Sequence, residues 1–434
     1  MLNNMPPIAM LWDDAHIWGL MSLRALRSLG FPVRLLKGRD IAQGALFRKQ
    51  AGAEPARVLV VPGGSANLKA EALGEAGKRA ICDYIRHGGR YLGFCGGAGL
   101  ALSHSRGLAL CPWIRADYPQ RILHLISGYV LADPCSHALT PDWQDRKPSL
   151  PVWWPGRFHN SGGDVSVLAR YRCPDRDFWI ADIALESVPR HIFEDWKSRY
   201  GVNFTADFLT DTELIVTGHS GEGEYVLSYS HLETPDSPDA NIWFAHILSR
   251  LAGVRVEHSH VAPWQFLSQP RPLESFVPQT LCSLIAQTRE LIALAVEHRL
   301  FFARTPWLMG WKQGLPGGMC TNLLAALDAA CSTEPSRAAL SFWQEYEPEV
   351  RELARTFFVR AEGYLLAARL ADTLLVSMPN AVDKASLAKE RDHLFGHPML
   401  GKGILGRILA LVEEYFYLCL EAADSPGADR TDLF

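Results

Sequence analysis

The sequence predicts an α/β domain, with a mostly parallel sheet flanked by helices, followed by an all-α carboxyl-terminal domain. Three observations carry this prediction. Short apolar runs of strand length alternate with amphipathic helical patterns in the amino-terminal part; glycine or proline closes nearly every run; and beyond residue 280 long helical periodicity replaces the strand signal.

In chain order, "IAML" (8–11) is a strand leading into an amphipathic segment from His16 to Leu29, which Gly30 stops. "VLVV" (58–61) runs into Pro62, Gly63 and Gly64. The helical pattern after it sets Leu73, Ala80, Ile81, Tyr84 and Ile85 on one face, with Gly88 and Gly89 as left-handed caps. "RYLGF" (90–94) is the next strand, and Cys95 follows it ahead of a short helix start made of small residues. In such a βαβα rhythm, ligands bind beyond the carboxyl ends of the parallel strands. From about 120 to 260 turn-rich strands such as "SVLARY" and "ELIVTG" take over, and "GEGEYVLSYSHLET" (221–234) reads as a glycine turn, a strand and a polar end.

The proline-bearing stretch at 263–280 reads as a linker between a domain over 1–262 and a helical domain over 281–434. The helical domain carries no residue pattern tied to chemistry. A lid, a homo-oligomer interface and a docking site for an amine-accepting partner protein all fit it.

At 434 residues the chain is longer than a single core usually supports. With 48% hydrophobic and 21% charged residues and a net charge of −4, it reads as a globular chain without the basic excess that nucleic acid attracts. No run reaches the ~18 apolar residues of a membrane span, and the amino terminus lacks a basic segment before an apolar one. A cytoplasmic protein without membrane or nucleic-acid partners is the expectation. Nine cysteines are odd in number and include no C-x-x-C pair, which argues against a disulfide framework or a structural zinc site. No metal or cofactor is expected.

The chemistry is concentrated in "GRYLGFCGGAGLAL" (89–102). Cysteine is a nucleophile as thiolate, which a strand-to-helix turn favours by facing the sulfur toward the positive end of the helix. Gly93, Phe94, Cys95, Gly96 and Gly97 form G-x-C-x-G, the cysteine version of the nucleophile elbow, whose glycines relieve crowding around a strained residue. The Gly96 amide would face a developing oxyanion, and Gly63 or Gly64 of the "PGG" turn would add a second donor. His231 stands at the end of a strand two residues before Glu233, a spacing that can set the carboxylate on the far nitrogen of the imidazole. His104 has no carboxylate similarly placed and ranks below it. Set against this, a cysteine among glycines also suits close helix packing, and polar residues are common where strands meet solvent. In "VWWPGRF" (152–158) the paired tryptophans read first as core and second as pocket wall.

"VLVVPGG", then "GRYLGFCGGAG", then a late strand ending in His-x-Glu resemble the class I glutamine amidotransferase-like superfamily, whose fold is flavodoxin-like. Within it the resemblance is greatest to the amino-terminal domain of biotin protein ligases, over about residues 5–255. It implies that Cys95 is the nucleophile, His231 the general base and then acid, and Glu233 the orienting carboxylate. It further implies an oxyanion hole of Gly64 and Gly96, and a substrate pocket bordered by Gly63, Trp154 and Gly156. The family's H-P-E is His231-Leu232-Glu233 here, and Gly96 rather than histidine after the cysteine separates the chain from the peptidase and deglycase branch. Residues holding the amino-acid end of glutamine cannot be placed, nor can the adenylate loop of a ligase, so neither glutamine nor biotin ligation is implied. The expectation is a cysteine-dependent amidase or amidotransferase-like hydrolase acting on a small-molecule amide or acyl substrate. A non-catalytic ligand-binding or scaffold protein with the same fold is the alternative.

Overall fold

The computed structural model describes residues 7–48, 55–117, 125–269, 274–396 and 402–423. The chain divides into two units, Met1–Pro263 and Trp264–Phe434.

The first unit begins with β1 (Ile8–Leu11), α1 (His16–Ser28), β2 (Val33–Leu36), α2 (Gly38–Ala42), β3 (Val58–Val61), α3 (Ala66–Arg86), β4 (Arg90–Phe94) and α4 (Gly96–Ala101). All four residues of β1 and of β3 are buried, as strands covered on both faces require, and apolar side chains supply that burial. Ser65 caps α3 by accepting a hydrogen bond from the Leu68 amide at 3.3 Å. Beyond its end Gly88 takes a left-handed φ of 90°. Gly89 does not; it is a glycine because the Tyr84 ring lies where a Cβ would stand.

The remainder of the unit holds β5 (Ile114–Arg115), β6 (Ile126–Pro134), β7 (Ser149–Trp153), β8 (Phe158–His159), β9 (Val165–Pro174), β10 (Trp179–Ile180), β11 (Ile183–Ala184), α5 (Arg190–Tyr200), β12 (Glu213–Ser220), β13 (Gly223–Ser228) and α6 (Pro238–Ala252). The main sheet runs β11-β10-β6-β9-β12-β13-β4-β3-β1-β2, with β7 paired to β6. Its strands β2, β1, β3, β4 and β13 are mutually parallel, whereas β12 and the strands beyond it pair antiparallel. Register fixes the consequence. Met10 pairs with Val60, Val61 with Gly93, and Phe94 with Ser228, so the segments leaving β1, β3, β4 and β13 emerge together at one edge.

The second unit contains α7 (Gln279–Glu297), β14 (Phe301–Ala303), β15 (Met309–Trp311), α8 (Gly317–Cys331), α9 (Arg337–Leu374), α10 (Lys384–Phe395) and α11 (Gly403–Ala423). Helices dominate, joined by one small antiparallel hairpin in which Gly310 leaves room for the Phe302 ring. In the stretch read as a linker, Trp264 and Phe266 are buried with ring centroids 4.7 Å apart, while 270–273 lie outside the described residues. No helix among the described residues is long and apolar enough to cross a membrane.

Candidate active site

The turn out of β4 sets Cys95 at φ 46°, ψ −102°, a conformation that a non-glycine residue holds only where its surroundings enforce it. Two hydrogen bonds do so: the Cys95 amide donates to the Ser228 carbonyl at 2.8 Å, and the Cys95 carbonyl accepts from the Gly99 amide at 2.9 Å. The flanking glycines are sterically required. A Cβ on Gly96 would stand 1.9 Å from the Gly64 carbonyl oxygen, and one on Gly97 2.0 Å from that of Val61. Elbow and "PGG" turn therefore meet backbone to backbone.

Gly64 has φ 108°, and a Cβ there would be 2.2 Å from the Asp14 carbonyl oxygen. Among the described residues, neither the Gly64 nor the Gly96 amide donates a hydrogen bond.

His231 does not end the strand as the sequence suggests. β13 stops at Ser228, and His231 follows in a buried turn. That turn is fixed because its polar backbone is satisfied: the His231 amide donates to the Pro151 carbonyl at 3.0 Å, Ser230 Oγ donates to the same oxygen at 2.8 Å, and Asn241 Nδ2 donates to the carbonyls of Leu232 and Thr234. The result points Nδ1 of His231 at Oε1 of Glu233, 2.8 Å away, with both side chains fully buried. Burial alone would push the imidazole pKa down; the Glu233 charge, the hydrogen bond to it and the nearby Cys95 sulfur outweigh it and raise the value to about 9. Nε2, on the Cys95 side of this balance, has no partner satisfying ordinary hydrogen-bond geometry.

Aromatic rings enclose the imidazole. Trp18, in the first turn of α1, lies with its ring centroid 4.4 Å from that of His231, and Trp154 packs edge-on against Trp18 at 6.1 Å. Gly63 abuts both rings: a Cβ on it would meet Cε1 of His231 at 2.8 Å and Cγ of Trp18 at 3.0 Å. Gly156 lies on the Tyr229 ring, which a Cβ would approach to 2.2 Å. The tryptophan pair thus divides, Trp153 into the core and half-buried Trp154 toward the site. His104 is exposed, with Nε2 3.2 Å from the Gly99 carbonyl, and takes no part.

Trp18 and Lys69 join the site without a motif that singles them out. Lys69 is fully buried and donates to the carbonyls of Asp13 and Asp14 at 2.9 and 3.0 Å. A signal existed for each. The "WDD" turn leaves the carboxyl end of β1 and α1 follows it, while Lys69 precedes the buried Leu73 by one four-residue step in the part of α3 before its kink at Gly74.

Residues 39–105 match the family described as "Biotin-protein ligase, N terminal". The matched stretch contains Gly63, Gly64, Cys95 and Gly96, and ends well before His231 and Glu233. No curated protein matches the chain. Solved structures similar to it include PurLQS from Thermotoga maritima, at TM-score 0.38 and 15% identity over 57% of this chain and 99% of that one. A glutamine amidotransferase gives TM-score 0.35 and 16% identity over 57% and 99%. A β-galactosidase from Bacillus circulans sp. alkalophilus gives 0.32 and 12% over 58% and 32%.

Proposed function

We propose that the first unit is a cysteine-dependent amidase or amidotransferase-like hydrolase, with Cys95 as nucleophile, His231 as acid and base, and Glu233 as the carboxylate that orients the imidazole. The observation carrying this reading is the buried Nδ1-to-Oε1 hydrogen bond of 2.8 Å, which leaves Nε2 for the sulfur side. The two unengaged amides of Gly64 and Gly96 support it.

The chemistry follows from these groups. The Cys95 thiolate forms a C–S bond to the carbon of a carboxamide, and the carbonyl π pair moves onto oxygen, where the two amides would hold it. Collapse breaks the C–N bond as Nε2–H of the imidazolium gives its proton to the departing amine. Neutral His231 then takes a proton from water, whose oxygen attacks the thioester; the carboxylic acid leaves and the thiolate and imidazolium return. An amine in place of water gives transfer. Trp18 and Trp154, packed against the imidazole and each other, would border the acyl group of a small substrate.

The test uses p-nitrophenyl acetate and intact-protein mass spectrometry. Wild type should release p-nitrophenolate and carry one acetyl group at Cys95, and a folded Cys95→Ala variant should do neither. Acetylation spread over other cysteines, or release unchanged in Cys95→Ala, would overturn the reading in favour of a non-catalytic binding role.

A further inference from the structure

We propose that Lys69 is a positioning residue of the oxyanion hole, holding Gly64 against the Cys95 elbow through the Asp13-Asp14 turn. The inference rests on the reading of Cys95 as an acyl-transfer nucleophile and adds a residue that acts through another.

An ammonium group is costly to bury, so a lysine with no solvent exposure in the first turn of α3 calls for a reason. A methionine would fill the same space. What Lys69 adds is a pair of hydrogen bonds, donated to the Asp13 and Asp14 carbonyls at 2.9 and 3.0 Å. The Asp14 carbonyl oxygen lies 2.2 Å, and Lys69 Nζ 3.5 Å, from the point where a Cβ on Gly64 would stand, so ammonium, carbonyl and glycine are stacked in contact. The turn is fastened on its other sides too: Asp14 Oδ2 accepts from the Ser65 amide at 3.1 Å and Asp13 Oδ2 from the Gly38 amide at 2.5 Å. Asp14 holds φ 50°, the left-handed region, so the turn needs these restraints to persist. Gly64 in turn abuts Gly96. The contacts therefore run from Lys69 through Asp14 and Gly64 to the residue beside the nucleophile, and they bring a buried positive charge next to an amide meant for a developing anion.

Two reagents separate positioning from general structural support. In p-nitrophenyl acetate the sulfur bonds to the acetyl carbon, the π pair passes onto oxygen as an anion, and collapse expels p-nitrophenolate to leave an acetyl thioester. With iodoacetamide the sulfur displaces iodide from a saturated carbon, and no oxyanion forms. For full-length Lys69→Met, acetylation of Cys95 should slow at least tenfold while its alkylation by iodoacetamide stays within about twofold of wild type. Lys69→Gln, which keeps a donor without the charge, should fall between and serves if Lys69→Met does not fold, as circular dichroism will report. Equal slowing with both reagents, or with neither, overturns the proposal. Wild type that is not acetylated at Cys95 overturns the parent reading instead, before any Lys69 variant is compared.

Discussion

Trp18 covers the imidazole of His231, ring centroids 4.4 Å apart and planes inclined at 37°. The contact joins the first turn of α1 to the turn after β13, and it keeps water from the His231-Glu233 hydrogen bond, which strengthens in a low-dielectric setting. Trp18→Ala should slow acetylation of Cys95 by p-nitrophenyl acetate about tenfold, equivalent to roughly 1.4 kcal/mol. It should also lower stability to urea by about 1–3 kcal/mol, less than for a fully buried tryptophan because Trp18 is half-buried. Trp18→Phe keeps a ring over the imidazole and should recover most of both.

The imidazole pKa of about 9 exists against burial, which would lower it, and the Glu233 charge is the strongest of the groups that raise it. Glu233→Gln should therefore bring the His231 pKa down sharply, since burial then acts with less opposition. Cys95→Ala should lower it too, by a smaller amount, because it removes only the sulfur's share. Long-range 1H–15N NMR of the histidine ring across pH reads both. A value unmoved in Glu233→Gln would mean that the carboxylate does not hold the proton in place.

The parts of the site legible in sequence are those written in glycine. The elbow and the "PGG" turn can be read because Gly96, Gly97 and Gly64 are demanded by local backbone approaches of about the width of one atom, and nothing larger fits. His231 and Glu233 are legible in their two-residue spacing, but their orientation comes from Pro151 on β7 and Asn241 on α6, which no local pattern encodes. Trp18 belongs to the site because β1 lies beside β3, a fact of strand order. Lys69 hides for the opposite reason: lysine at the start of a helix is ordinarily a solvated residue, and the four-residue step to Leu73 is the one hint that it points inward. The Phe301–Ala303 and Met309–Trp311 strands are too short to show a period of two, which is why the carboxyl-terminal region reads as helical throughout.

His231 also makes stability depend on pH in a defined direction. Its folded-state pKa, about 9, lies above the ordinary 6.5, so the folded state holds the proton more tightly than the unfolded one. The resulting contribution, on the order of 3 kcal/mol, is complete below pH 6.5 and is lost as pH rises through about 9. Urea unfolding of wild type at pH 6, 8 and 10 should show this loss progressively across both intervals, and Glu233→Gln should flatten it. A wild-type profile that rises between pH 8 and 10 would reverse the sign and contradict the pair.

Gly96→Ala tests how tightly the elbow and the "PGG" turn are bound together. The added Cβ would stand 1.9 Å from the Gly64 carbonyl oxygen, and that neighbour is backbone, which cannot swing aside as a side chain does. The two turns must separate instead, which should destabilise the fold by at least about 2 kcal/mol and move the Gly64 amide away from the sulfur. Acetylation of Cys95 should then fall further than alkylation by iodoacetamide, because only the first reaction needs the paired amides. Gly363 provides the control. It is exposed within α9 and nothing lies within 4 Å of its would-be Cβ, so Gly363→Ala should stabilise the protein by about 0.5–1 kcal/mol through helix propensity and leave both reactions unchanged. A Gly96→Ala variant as stable and as readily acetylated as wild type would mean that the two turns are not in the contact on which the proposed oxyanion hole depends.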